Sequence, residues 1–240
     1  MQVYLNEVSG LWQALVGMYM SRRTWTRERE IYTKCLFEQC YDRWGKCLPD
    51  VDLDVIQEMD NLVRVLLKWA PKHITMTRFL DFSFTVEGMH RGAQDDLDSH
   101  ARRMENRILR SSTRLAKYGA EKSDWYKGRI LTTDEALSLL GMSVPEEVSV
   151  DGVKYARAVN GYVREDLCHD KDTLRGLYML SIPSNNTFRI NCTEFAHLLK
   201  ERDTNSNAHP ELKEAVESML QQITQCIPQL DREWFYSVKN

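Results

Sequence analysis

Six arginines fall within one short stretch of this sequence: Arg91, Arg102, Arg103, Arg107, Arg110 and Arg114. They do so in a chain whose formal net charge is -3. A guanidinium is a planar fork of donors that matches phosphate or carboxylate in two places at once. The stretch therefore reads in two ways. It is a site for a polyanionic ligand, or it is a solvated basic helix, because Arg103, Arg107, Arg110 and Arg114 follow at intervals of four, three and four and would share a helical face.

Other chemistries find little support. There is no glycine-rich dinucleotide fingerprint and no Walker loop, so cofactor phosphates would have to be held by Arg, Ser and Thr side chains. No Ser-His-Asp or Cys-His constellation stands out. The six cysteines (Cys35, Cys40, Cys47, Cys168, Cys192 and Cys226) include no Cys-x-x-Cys pair. Their spacing, even with a distant His, fits no common zinc pattern, and no metal is expected. Ser112 sits among cations and hydroxyls. An arginine cannot take its proton, so Ser112 is expected to position a ligand rather than attack one.

The order of these residues resembles the flavin-dependent thymidylate synthases. The resemblance rests on His73-Ile74-Thr75, the Phe82-Ser83-Phe84 strand, Gly88 and the closing Ser112-Thr113-Arg114 of an arginine-rich signature. It returns at Arg175, Asn191 and Arg202. Two departures stand out. The Arg-His-Arg triplet falls on Arg102-Arg103-Met104 when counted back from Ser112, and on Ser99-His100-Ala101 when counted forward from Gly88. Thr193 stands where the family usually has an arginine.

The resemblance implies an α+β fold, an antiparallel sheet flanked by helices. It implies synthesis of dTMP from dUMP, with methylenetetrahydrofolate giving the carbon and NADPH reducing a bound FAD. It places Ser112, Arg114 and Arg175 on the phosphate and ribose of dUMP, and Arg202 on the uracil. It places His73, Thr75, Arg102, Asn191 and His197 around the flavin, with Arg202 and His73 nearest the chemistry. The sites of such enzymes are shared between subunits of a homotetramer. Three alternatives stay open: a flavin enzyme of the same fold acting on another pyrimidine nucleotide, a relative that has lost activity, or a module binding RNA or DNA through Arg102 to Arg114.

The elements that must position these groups are legible from hydrophobic periodicity. Leu80, Phe82, Phe84 and Val86 alternate with Asp81, Ser83, Thr85 and Glu87, which predicts a strand half-buried on one face and ended by Gly88. Val3 to Val8 predicts a further strand, and Leu11 to Met20 a helix closed by Arg22-Arg23. Trp25, Tyr32, Phe37, Tyr41 and Trp44 run through a segment expected to be a helix packed on the core. Stacking on nucleic acid would ask for aromatics interleaved with Lys/Arg on an exposed face, and Glu28, Glu30, Glu38 and Asp42 argue against that. Asp54 with Gln57 predicts a capping box for a helix through Leu62, Val63, Leu66 and Leu67, stopped by Pro71. Thr133-Asp134-Glu135-Ala136 opens another helix, towards Leu137, Leu139 and Leu140. Pro145 predicts a loop and Asp151-Gly152 a turn.

Asn191 is expected to cap a helix with Glu194 at its third position, burying Phe195, Leu198 and Leu199. Pro210 opens a last helix that buries Leu212, Ala215, Val216, Met219, Leu220 and Ile223 and ends before Pro228. The absence of linkers or low-complexity runs predicts one domain over residues 1–240, with a variable insert near 119–172. No apolar run is long enough to span a bilayer and the N-terminus lacks a signal pattern, so a cytoplasmic location is expected.

Overall fold

The computed structural model describes residues 1–73, 75, 78–100, 107–110, 122–158, 160–169, 177, 180–203 and 208–238. The chain divides into two compact units. The first comprises Met1–Gln2, Glu87–Asp95 and Arg110–Asn186; the second comprises Val3–Val86, Asp96–Leu109 and Thr187–Asn240.

The class is α+β, as expected. A four-stranded sheet has the order β1-β2-β7-β3, with β1 at Gln2–Ser9, β2 at Asp81–His90, β3 at Arg107–Arg110 and β7 at Pro183–Asn191. Strand β2 follows the predicted alternation: Phe82, Phe84 and Val86 are fully buried. It does not stop at Gly88. The strand continues to His90, and the buried positions change phase from Val86 to Met89 across Gly88. Gly88 has a φ of 74° and donates its N–H to Asn185 Oδ1 at 2.9 Å. A glycine that absorbs an extra residue in this way forms a bulge, which re-aims the residues after it.

The basic-helix reading fails where it can be checked. Arg107 to Arg110 form strand β3. The four-three-four spacing is real in the sequence, but pairing at the sheet edge decides the backbone there. Arg110 donates to Asp95 Oδ1 at 2.6 Å, and Arg91 lies 3.5 Å from the same oxygen. Both arginines belong to the first unit and share that one carboxylate.

In the second unit, helix α1 (Leu11–Ser21) buries Leu11, Ala14, Leu15 and Met18 at helical spacing. It begins at Gly10, whose φ is 80° and whose missing Cβ would lie 1.6 Å from Phe79 O. Helix α2 (Arg27–Cys40) forms as expected but buries Thr33, Leu36 and Cys40; Trp25, Tyr32 and Trp44 are exposed. Of the segment's aromatic residues Tyr41, just past the helix, is buried, while Thr33, Leu36 and Cys40 make the helix's own core face. Helix α3 (Leu53–Trp69) is capped by Asp52, which accepts from Asp54 N at 2.8 Å, two residues before the predicted cap. It gives way to a tight turn at Ala70–Lys72 around Pro71.

Helix α4 (Arg91–His100) follows β2 directly. Helices α6 (Cys192–Arg202), α7 (Pro210–Cys226) and α8 (Arg232–Ser237) complete the second unit, and α7 buries all six residues read from its periodicity. Phe195 of α6 is the centre of this core. Its ring lies 5.9 Å from Phe82, 6.3 Å from Phe84 and 5.0 Å from Phe235.

The first unit holds helix α5 (Thr133–Leu139) and a three-stranded antiparallel sheet of β4 (Glu147–Val150), β5 (Val153–Ala158) and β6 (Gly161–Arg164). Thr132 and Glu135 close a full capping box on α5. Asp151 and Gly152, with φ of 50° and 81°, make the two-residue turn between Val150 and Val153. Both residues are left-handed, the geometry that matches strand twist in a hairpin. Among the described residues no helix is long and apolar enough to cross a membrane.

Replacing Phe195 tests this packing. Phe195→Ala should lower the unfolding free energy by about 3–5 kcal/mol, the usual cost of emptying a buried aromatic site. Urea denaturation followed by circular dichroism would measure it, and a loss under about 1 kcal/mol would show that Phe195 is not the keystone of the core.

Candidate active site

Three expected site residues of the second unit, Asn191, His197 and Arg202, lie on helix α6 or at its cap. Asn191 ends β7 and caps the helix, its Oδ1 accepting from Glu194 N at 2.9 Å. The neighbouring Cys192 donates its N–H to Leu80 O at 2.7 Å, which ties the helix start to the residue before β2. The Cys192 thiol is fully enclosed, and burial pushes it well above its ordinary range. A helix N-terminus would favour a thiolate, but desolvation dominates here, so Cys192 is a packing residue and not a nucleophile.

Glu194 supplies its backbone to the cap. Its carboxylate is buried, and Oε2 has no hydrogen-bond partner among the described residues. The same holds for Nδ1 of His197 and Nε of Arg202. A buried polar atom left without a partner costs about 1–3 kcal/mol, so three on one helix call for an explanation. A ligand that offers both donors and acceptors would satisfy them.

Arg202 is the most constrained of these groups. Its side chain is only 9% exposed, and Nη2 donates to Asp96 Oδ1 at 3.0 Å. Nη1 donates to the carbonyl of Glu201 at 3.1 Å. The next residue, Asp203, accepts from Arg232 Nη1 at 2.6 Å and from the Tyr236 hydroxyl, so α8 anchors the C-terminal end of α6. The structure therefore brings Asn191, His197 and Arg202 onto one well-held helix. His73 and Thr75 are exposed and lie between α3 and β2. The His73 N–H is bound to Ala70 O at 3.0 Å, which closes the turn after α3. Arg102, Ser112, Arg114 and Arg175 lie outside the described residues.

Sequence reading missed several groups. Asp96, the partner of Arg202, was not singled out. In the first unit, Gln94 Oε1, Ser123 Oγ, Ser181 Oγ and both amide atoms of Asn186 are buried without partners among the described residues. Asn186 carried a usable signal, because Ser184, Asn186, Phe188 and Ile190 form the buried face of β7. A polar residue on a core-facing register asks for a partner. A separate cleft of about 510 Å³ in the second unit is lined by Trp12, Phe37, Glu38, Tyr41 and neighbours, and none of the expected site residues borders it.

The chain matches the thymidylate synthase complementing protein family over residues 24–229. It belongs to that family.

The solved structures it is similar to share its fold at low identity. A flavin-dependent thymidylate synthase from Helicobacter pylori, complexed with FAD and dUMP, is 13% identical with a TM-score of 0.52, covering 97% of this chain and 100% of that one. A UMP/dUMP methylase from Streptomyces cacaoi, bound with 5-Br dUMP, is 15% identical with a TM-score of 0.54, covering 98% of this chain and 94% of that one. No curated protein matches the chain.

Two variants separate the structural and ligand roles of Asn191. Asn191→Ala should cost about 1 kcal/mol of stability through the lost cap, whereas Asn191→Ser should keep most of it. If Asn191 also touches a flavin, Asn191→Ser should weaken flavin uptake while the melting temperature stays near that of the parent. Equal flavin uptake by Asn191→Ser and the parent would reduce Asn191 to a cap.

Proposed function

We propose that the protein is a flavin-dependent thymidylate synthase that methylates dUMP to dTMP, with methylenetetrahydrofolate as carbon donor and NADPH as reductant. The observation that carries this reading is Arg202. It is a buried guanidinium with an unfilled Nε–H, on the helix that carries the family's Asn191 and His197. A buried donor without a partner suits a developing negative charge on a uracil oxygen.

On this reading Arg202 polarises the pyrimidine ring, and Arg175, Ser112 and Arg114 hold the phosphate and ribose. His73, Thr75, Arg102, Asn191 and His197 line the flavin, with His197 Nδ1 open to its ring edge. Bound FAD supplies the redox chemistry, and the side chains supply orientation, electrostatics and exclusion of water. The chain is one family domain with an insert near 119–172, works in the cytoplasm, and assembles as a homotetramer that completes each site from several subunits.

A second reading has a specific observation behind it. Thr193 and the altered triplet change the ligand-facing set, and one similar structure is a methylase described as acting on UMP as well as dUMP. A ribonucleotide is therefore a competing substrate.

Purified protein should take up FAD, absorb as a flavoprotein, and scatter light as a tetramer. A colourless monomer that ignores added FAD would overturn the proposal. Arg175→Ala and Arg202→Ala should each weaken dUMP binding by about 10- to 150-fold, the worth of a charge-assisted hydrogen bond. FAD binding should be less affected, and unchanged dUMP titrations would remove these two residues from the site. Ser112→Ala should fall by about the same factor and still turn over, because a lost nucleophile would cost near ~10⁶. A folded, FAD-bound and wholly inactive Ser112→Ala would refute the positioning role.

A further inference from the structure

Arg202 does not stand alone in the second unit. Asp96, from α4, holds Nη2 at 3.0 Å, and Glu201 O holds Nη1 at 3.1 Å. The two contacts fix the plane of the guanidinium and leave Nε–H as the donor without a partner among the described residues. The Asp96 side chain is itself 31% exposed, so the pair is neither a free surface contact nor a fully enclosed one. At such a depth removing one partner strands the other charge.

The charge of the pair decides what Nε can bind. A lone arginine beside a nucleotide would be drawn to the phosphate, the strongest acceptor present. With a carboxylate already on it, the guanidinium is compensated, and a second full anion would meet Asp96 as well. A neutral carbonyl oxygen meets no such repulsion. It needs only a donor in the right place.

Resting on the functional reading above, we propose that Asp96 is the positioning residue for Arg202: the ion pair orients Nε–H towards a carbonyl of the pyrimidine base and keeps Arg202 off the phosphate. Asp96 thereby sets Arg202 as a reader of the base, and the phosphate falls to other cations. The compensated pair also keeps Arg202 from being an uncompensated buried charge when no nucleotide is bound.

The test compares dUMP with 2′-deoxyuridine, which lacks the phosphate, on the full-length protein with saturating FAD. Asp96→Asn should weaken both by about tenfold, and 2′-deoxyuridine no less than dUMP, because an uncompensated Arg202 can turn to a phosphate only in dUMP. In an Arg202→Ala background, Asp96→Asn should cost nothing further. A purely structural Asp96 would instead make the two losses additive. Asp96→Glu, which keeps the charge, should recover part of the loss. It also serves as the variant of record if Asp96→Asn does not fold, with its smaller loss again no less for 2′-deoxyuridine than for dUMP. Unchanged affinities in folded Asp96→Asn, additive losses, or a loss confined to dUMP would overturn the proposal. Failure of the parent protein to bind either ligand is a different result, because it would remove the functional reading itself.

Discussion

The seat of Phe195 is the contact on which the site depends. Its ring sits against Phe82 and Phe84 of β2 and Phe235 of α8, all fully buried. Aromatic packing of this kind has a geometric preference as well as a large buried area. It fixes the rotation of α6 about its axis, while the Cys192 N–H to Leu80 O bond fixes its start and the Asp203 contacts to α8 fix its end. Asn191, Glu194, His197 and Arg202 then have little freedom in where they point. Side chains held this way can keep unpaired polar atoms buried, because the surrounding core makes relaxation towards water expensive.

Carboxylates manage the arginines of this chain. Arg91 and Arg110 share Asp95, Arg189 bonds Asp81, and Arg202 bonds Asp96. Within the arginine-rich segment, Arg91 and Arg110 are compensated in this way. This pairing also bears on the competing nucleic-acid reading, which relies on cations free to replace the counterions of phosphates. Arg110 is only 14% exposed and already paired, so its contribution to a polyanion surface is small. Pairing with acids suits a site in which each cation has one defined acceptor.

Much of this was legible in the sequence, wherever one local rule governed the outcome. The alternation of Leu80 to Val86, the cap at Asn191 and the apolar stripe of α7 each follow from a single periodicity and a burial requirement. The misreadings came where a second constraint won. Arg107 to Arg110 have helical spacing with their neighbours, yet pairing at the sheet edge makes them a strand. Gly88 is a strand breaker by type, but its left-handed freedom lets β2 run on through a bulge. Helix α2 turns Thr33, Leu36 and Cys40 to the core, whereas Trp25, Tyr32 and Trp44 of that segment are exposed and Tyr41 is buried. The meander β4-β5-β6 was seen only as a turn, since Asp151-Gly152 is a strong signal and the short strands beside it are mostly exposed. Of the residues the family order proposed for the site, the fold brings Asn191, His197 and Arg202 onto one helix. The partnership of Asp96 with Arg202 was invisible, because contacts between residues 106 apart in the chain leave no trace in local pattern.

The central claim concerns a methyl group placed on a uracil nucleotide by way of a bound flavin. The most direct test supplies the purified, FAD-loaded protein with NADPH and isotopically labelled methylenetetrahydrofolate, together with equal dUMP and UMP, and identifies the labelled nucleotide by mass. Label in dTMP, absent when FAD is removed, is the expected result. Label in the ribonucleotide alone would assign a different substrate to the same site. No labelled nucleotide from a folded, flavin-loaded protein would contradict the account.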